Sequence, residues 1–235
     1  YRYGLRENRF KGAVRQHNRV DNNPFIMREQ DKCVLCGLCV RVCEEVQGVG
    51  AIGFANRGFE ADICPPFKKD LDCEFCGQCV SVCPTGALSA KMWAGQPRLE
   101  STASTETTCT YCGCGCNLTL HTSGDKVVRV TSRADNHNRG WLCVKGRFGY
   151  DFIASPERLT TPLIRRQKGG PLEPAGWDEA LDLVATRLMA IRDEHGADAV
   201  GGLASARCTN EENYLFQKML RAGIGTNNVD HCARY

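Results

Sequence analysis

One cysteine pattern occurs twice, and it constrains this chain more than any other feature. Cys33, Cys36, Cys39 and Cys43 recur as Cys73, Cys76, Cys79 and Cys83, each 40 residues further on, in CVLCGLCVRVC and CEFCGQCVSVC. The flanks repeat as well: Gly37 with Gly77, Val40 with Val80, Val42 with Val82. A unit this short cannot bury a core alone, so the two copies are expected to pack face to face, with inorganic groups replacing much of the apolar interior. Gaps of two, two and three residues put three sulfurs on one tight loop and send the fourth away along a helix. In such a C-x2-C-x2-C-x3-C run the fourth cysteine ligates the other centre, so two copies build two [4Fe-4S] clusters by exchange. The expected ligand sets are Cys33, Cys36, Cys39 and Cys83 for one cluster and Cys73, Cys76, Cys79 and Cys43 for the other. Pro84 completes the run in the second copy only, and Glu44 takes that place in the first.

Sixteen cysteines in 235 residues imply either a disulfide scaffold or a set of metal sites. Disulfide frameworks scatter their cysteines, and tetrahedral zinc uses two pairs, so neither needs a three-plus-one pattern duplicated in register. A third set follows: Cys109, Cys112 and Cys116, then Cys143 after 26 intervening residues. Cys114 is set aside, because Cys112, Gly113 and Cys114 are too tightly spaced for both sulfurs to reach different corners of one cube comfortably. Cys64, Cys208 and Cys232 stand alone; an isolated cysteine is more often a small buried hydrophobe than a ligand or nucleophile, and these three are left unassigned. His17, His121, His137, His195 and His231 show no paired spacing, which favours exposed or hydrogen-bonded roles.

A net charge of +3 recruits neither nucleic acid nor an anionic membrane. The basic stretches at Arg6 to Arg19 and at Arg165, Arg166 and Lys168 lack interleaved aromatic platforms, and a solvated surface is expected. No run suits a membrane span and no secretory signal is visible, so a cytoplasmic location is expected. Because the chain begins at Tyr1, its N-terminus is read as cut or processed, which leaves an export signal open.

Gly95 to Thr108 is polar, rich in Ser and Thr and without apolar periodicity, which suggests a linker. KVVRVTS alternates enough to be a short strand. Beyond Pro156, Leu181, Val184, Leu188 and Ile191 have helical spacing, with Asp178 placed to cap the start and Gly196 to end the helix. ADAVGGLAS then reads as a buried strand leading into a second helix, EENYLFQKMLRAG, with Thr209 and Glu212 spaced as a capping box. A strand feeding a helix N-terminus suggests the opening of an α/β domain. The turn from Ser205 to Asn210 is placed to offer backbone N–H groups to a pyrophosphate.

The third cysteine set, with NRGWLCVKGRFGYDF and RLTTPLIR, resembles the N-terminal cluster domain of the molybdopterin oxidoreductases. SARCTNEENYLFQKMLRAGIGTNNVDHCARY resembles the catalytic (alpha) subunit of formate dehydrogenases. NPFIMREQDKCVLCGLCVRVCEEVQGVGAIGF is similar to a two-cluster module shared by NAD-linked formate dehydrogenases, the large iron-sulfur subunit of complex I and iron-only hydrogenases. Only the combination discriminates, and formate dehydrogenase accounts for both halves. The competing reading is an electron-carrier module of another redox complex, complex I-like or hydrogenase-linked, without formate chemistry.

The resemblance implies an α+β chain. Its parts would be a remnant of an upstream domain (1–26), a two-[4Fe-4S] ferredoxin-like domain (27–94), a linker (95–104), a molybdopterin oxidoreductase [4Fe-4S] domain (105–160) and the truncated beginning of a molybdopterin-binding α/β domain (161–235). It further implies three [4Fe-4S] clusters and, in the intact protein, a bis-molybdopterin guanine dinucleotide carrying molybdenum or tungsten that oxidises formate to CO2. The expected electron partner is an NAD/flavin-binding iron-sulfur subunit or ferredoxin. Lys145 matches the lysine between cluster and pterin, while Ser205, Asn210 and Asn227 are expected near the pterin. A metal-ligating cysteine or selenocysteine would come directly after NNVDHCARY, where the chain ends at Tyr235; the two expected reasons are a selenocysteine codon read as a stop and an arbitrary fragment boundary, to which the missing start methionine lends weight. No catalytic residue is therefore expected within these residues, and the piece alone is not expected to turn over formate.

Overall fold

The computed structural model describes Gly4, Glu7, Phe10, residues 12–17, Val20 and residues 22–232. Much of the expected N-terminal remnant, including Arg6, Arg9 and Arg19 of the basic stretch, lies outside the described residues, as do Ala233, Arg234 and Tyr235. The chain divides into two compact units, Tyr1–Pro97 with Leu142–Val144, and Arg98–Trp141 with Lys145–Tyr235.

In the first unit, strand β1 (Ile26–Arg28), ahead of the first cysteine copy, pairs antiparallel with a strand that follows the second copy and is the fourth strand in chain order, Leu88–Ala90, Met27 lying opposite Ser89. Between them come helix α1 (Leu38–Arg41), the antiparallel hairpin of β2 (Gly53–Ala55) and β3 (Asp62–Cys64), helix α2 (Gln78–Val82) and then that fourth strand, β4. These elements are a turn or two long, so the unit depends on apolar contacts rather than on long ladders. Ile26, Val42, Ile52, Ile63, Leu71, Val80 and Leu88 are buried, each contributing about 1.5–3 kcal/mol of transfer energy.

The repeat is visible in the backbone. Gly37 and Gly77 precede α1 and α2 with φ of 73° and 71°, a left-handed geometry that glycine adopts without a Cβ penalty. Leu35 and Phe75 occupy the same region at φ 56° and 54° despite their side chains, strain of the kind retained at functional sites. The copies diverge after the fourth cysteine. Pro84 pushes the residue before it out of the helical region, and Cys83 is extended at ψ 113°. Glu44 imposes no such stop, and the first copy continues through a π-helical turn at Val42–Val46.

The second unit opens with a three-stranded antiparallel meander, β5 (Ala103–Thr108), β6 (Asn117–Ser123) and β7 (Lys126–Thr131). The reading of Gly95 to Thr108 as a linker is corrected here: Ala103–Thr108 is strand β5, with every residue exposed. An edge strand can be wholly polar, since its ladder to β6 needs only backbone groups, and its Thr residues suit extended structure. Leu118, Val128 and Val130 point inward, and the buried Tyr150 donates to the Val128 carbonyl at 3.0 Å. Helix α3 (Val144–Phe148) and the short antiparallel pair β8 (Leu163–Ile164) and β9 (Glu173–Pro174) follow.

Helix α4 (Trp177–His195) ends where expected, at Gly196 with φ 87°, whose N–H donates to Arg192 O at 2.8 Å. Its start differs: Gly176 is the cap residue, and Asp178 lies within the first turn, where a carboxylate still favours the helix dipole. Strand β10 (Gly202–Ala204), helix α5 (Asn210–Lys218) with a π-helical extension to Ile224, and strand β11 (Val229–His231) form a parallel β-α-β unit. Thr209 and Glu212 form the full capping box. The expected buried strand is shorter and more open than its sequence suggests: of the three residues of β10 only Gly202 is buried, while Leu203 is 84% exposed. Gly202 is needed there because a Cβ would run into the Leu220 and Phe216 side chains. Val200, Leu220 and Ile224 form the local core, with Leu188, Phe216 and Val229 against it. The molecule is thus a mixed α and β chain, and among the described residues no helix is long and apolar enough to cross a membrane.

Candidate metal centres

The eight repeat cysteines line two cavities in the first unit. One is lined by Cys33, Cys36, Cys39 and Cys83 together with Arg28, Gln30, Ile52, Ile63 and Thr85. The other is lined by Cys43, Cys73, Cys76 and Cys79 with Ile26, Gln47, Ile52, Leu71 and Glu74. Each cavity thus takes three sulfurs from one copy and the fourth from the other. The left-handed turns at Leu35 and Phe75 aim their N–H groups at the sulfurs of Cys33 and Cys73, both at 3.4 Å. Ala51 N–H donates to Cys43 Sγ at 3.3 Å.

Burial governs the thiol chemistry. It raises Cys39 to about 11, with crowding by Cys33 and Cys36 adding to it. Burial also pushes Cys79 far up, reinforced by Cys76, Cys39, Cys73 and Cys43, and raises Cys73 in the same sense. At Cys83 burial is outweighed by backbone N–H groups of Leu88, Thr85 and Ala87 and by the Thr85 hydroxyl, and the thiol falls below its ordinary value. Four thiolates at such a place need compensating cationic charge, because desolvated like charges cannot all ionise alone. A thiolate-ligated iron-sulfur cube supplies that charge and takes four sulfur donors, and the donor set of each cavity fits it. Among the described residues, no group of three or more His, Cys, Asp or Glu is placed to hold a single metal ion.

The third set begins on the turn joining β5 to β6, where Cys109 N–H donates to Cys116 O at 2.8 Å and Gly115 N–H to Cys112 O at 3.3 Å. Cys109 is buried, Cys112 and Cys116 are half-buried, and Cys114 is exposed. A cavity beside this turn is lined by Cys109, Tyr111, Lys145, Gly146 and Phe152, among others, and not by Cys112 or Cys116. Lys145 Nζ stands 5.8 Å from the centre of the Tyr111 ring, a cation–π contact. Tyr111 also donates to Gly149 O. Cys143 is exposed and belongs to Leu142–Val144 of the first unit, where the buried Gln78, next to Cys79, donates to Leu142 O at 3.0 Å.

The residues expected near the pterin are separately placed. Asn210 donates to Gly113 O at 2.9 Å and so ties the start of α5 to the third cysteine turn. Ser205 Oγ accepts from Arg207 N–H at 3.1 Å and lies 3.7 Å from Cys232 Sγ, while Asn227 is exposed and its carbonyl accepts from Val229 N–H. Sequence reasoning missed Arg28 and Thr85 at the first cavity and Tyr111 beneath Lys145. No local signal placed Arg28 there: it follows the apolar pair Ile26–Met27 and stands five residues before the first cysteine.

Residues 23–89 match the ferredoxin-like domain of NADH-quinone oxidoreductase subunit 3. Residues 102–155 match the molybdopterin oxidoreductase Fe4S4 domain, and residues 158–235 match the molybdopterin oxidoreductase model. Among curated proteins, the alpha subunit of an NADPH-Fe(3+) oxidoreductase of Geobacter sulfurreducens is 42% identical over 95% of this chain and 26% of that protein. One of the NADH-quinone oxidoreductase subunits of Rhizobium meliloti is 40% identical over 99% of this chain and 27% of that protein. A Staphylococcus haemolyticus protein named "Putative formate dehydrogenase" is 32% identical over 99% and 28%. The chain therefore spans about a quarter of the length of these relatives.

Proposed function

We propose, from a chain that carries ferredoxin-like and Fe4S4 domains followed by the start of a molybdopterin oxidoreductase domain, that it is the iron-sulfur electron-transfer portion of a molybdenum or tungsten formate dehydrogenase. The observation that carries the electron-transfer part is the pair of cavities, each ringed by three cysteines of one repeat and one of the other. Cys33, Cys36, Cys39 and Cys83 would hold one [4Fe-4S] cluster, Cys43, Cys73, Cys76 and Cys79 a second, and Cys109, Cys112, Cys116 and Cys143 a third. When bound, such clusters take up and release single electrons. The chain's own part is to deliver thiolates, to keep water from the buried sulfurs of Cys39 and Cys79, and to direct backbone N–H groups at Cys33, Cys43 and Cys73.

Lys145 would stand between the third site and a pterin, its ammonium held over Tyr111. Formate as substrate is supported by the likeness of residues 205–235 to formate dehydrogenase catalytic subunits and by the name of the Staphylococcus relative. The intact protein would pass electrons to an NAD/flavin-binding iron-sulfur subunit or to ferredoxin. A second reading, a module serving nicotinamide-linked electron exchange without formate, is favoured by the two relatives at 42% and 40% identity, whose names carry NADPH and NADH.

The test is metal analysis of the full-length gene product followed by anaerobic addition of formate. Iron and acid-labile sulfide for three cubes, molybdenum or tungsten, and formate-dependent bleaching near 400 nm are expected, a wavelength of about the position of thiolate-to-iron charge transfer. Iron without molybdenum or tungsten, with reduction by NADH or NADPH and none by formate, would establish the second reading. Zinc in place of iron would overturn both.

A further inference from the structure

We infer that the exchange of the fourth ligand between the repeats sorts charge, so that the site of Cys33, Cys36, Cys39 and Cys83 is the more readily reduced of the pair. The inference rests on the ligand sets proposed above.

Equivalent positions of the two copies carry opposite or unlike side chains: Lys32 against Asp72, Val34 against Glu74, Glu44 against Pro84, Glu45 against Thr85. If each copy used its own four cysteines, acidic residues would flank both sites. With the exchange they flank one. Asp72 and Glu74 bracket Cys73, and Glu44 and Glu45 follow Cys43, all four beside ligands of the second site. The ligands of the first site are bracketed instead by Lys32 and Val34 and followed by Pro84 and Thr85.

These four carboxylates are exposed, and exposed charges are individually weak. The stronger element is Arg28, which is 7% exposed, lines the first cavity and donates from its guanidinium to Ile63 O at 3.1 Å. Among the described residues it forms no ion pair. Out of water the field of a guanidinium is less screened. Thr85 adds a hydroxyl 3.8 Å from Cys83 Sγ, and Cys36 is exposed where the second site's cysteines are half-buried or buried. Cation, hydrogen bond to sulfur and solvent access all favour the added negative charge of the reduced state. At the second site Glu74 lines the cavity, and its carboxylate is engaged by Gln47 at 2.9 Å.

Gln78, which lines the second cavity and donates to Leu142 O, sets that site beside Cys143. The gradient therefore runs from the site next to Cys143 toward the one whose Cys36 meets solvent. Each site takes up one electron from its donor, and no bond forms or breaks.

The experiment is a mediator-poised redox titration of the cluster-loaded full chain, followed by EPR. Cys36→Ser and Cys76→Ser identify the two signals by their altered g-values. The signal marked by Cys36→Ser is expected to reduce at the higher potential. Arg28→Met should shift its reduction equilibrium at least tenfold toward the oxidised form, 59 mV for a one-electron couple, and move the other signal less, whereas Arg28→Lys should stay near wild type. Combined Glu44→Gln, Glu45→Gln and Glu74→Gln, all at exposed positions, should raise the potential of the Cys76-marked signal, and this variant decides the matter if Arg28→Met fails to fold. Equal potentials, the reverse order, or no response of the Cys76-marked signal to the triple variant would overturn the inference. The ligand assignment fails separately: Cys83→Ser would then alter the signal marked by Cys76→Ser instead of the one marked by Cys36→Ser.

Discussion

Ile26→Ala tests whether strand β1 closes the repeat unit. Ile26 is 1% exposed, lies opposite Ala90 on β4 and lines the second cysteine cavity. The substitution removes three carbon groups at about 0.8 kcal/mol each, about 2.4 kcal/mol of lost transfer energy. The cavity left behind adds to this, bringing the total to about 3–4 kcal/mol, inside the range of about 2–5 kcal/mol for buried Ile to Ala changes. Against a net stability of about 5–15 kcal/mol for a domain, that is a large fraction. With a urea m-value of about 2 kcal/mol/M, the anaerobic unfolding midpoint should fall by about 1.5–2 M. Because the same side chain walls the second cavity, absorbance near 400 nm should also be lost faster in the variant under chelator. Leu203→Ala, at an 84% exposed position, is the control and should stay within about 0.5 kcal/mol of wild type. A midpoint shift below about 0.5 M for Ile26→Ala would refute β1 as a core strand.

Thr209→Ala removes the hydroxyl half of the capping box at α5 and should cost about 1 kcal/mol, read as a lower unfolding midpoint of the second unit by far-UV circular dichroism, with Thr209→Ser close to wild type. Gly202→Ala drives a methyl into Leu220 and Phe216 and should destabilise by about 1–3 kcal/mol; an unchanged midpoint would mean that α5 does not pack on β10 this closely. In the iron-free chain the Cys39 thiol keeps its proton to about 11, against 9.0 when unfolded. Its contribution is full below pH 9 and is lost as pH rises toward 11, because the unfolded chain deprotonates first. The urea midpoint should fall between pH 8 and 10.5, and Cys39→Ser should weaken the fall; the same slope in both proteins would contradict it.

The grouping of eight cysteines into two cavities was legible because it depends on spacing and on a 40-residue repeat, which survive any uncertainty in the intervening turns. Helix α4 and the capping box at Thr209 were legible for a similar reason: both are local, and their signals lie within a few residues. Strand β5 was not, since an edge strand of Ser, Thr and Glu has no buried face to impose alternation. The openness of β10 was hidden because a run of small and apolar residues reads alike whether covered on both faces or one. Asp178 was expected to cap α4, yet Gly176 does so, a two-residue uncertainty inherent in reading helix starts from composition. Arg28 escaped notice because its place at the cavity depends on β1 meeting β4 from the far end of the unit, where Arg28 lies opposite Leu88, 60 residues further on.

The most direct test of the cysteine exchange is an anomalous difference map at the iron edge from crystals of the cluster-loaded chain. One cube bonded to Cys33, Cys36, Cys39 and Cys83, and another to Cys73, Cys76, Cys79 and Cys43, is the expected result. A cube that joins Cys83 to Cys73, Cys76 and Cys79 would contradict it.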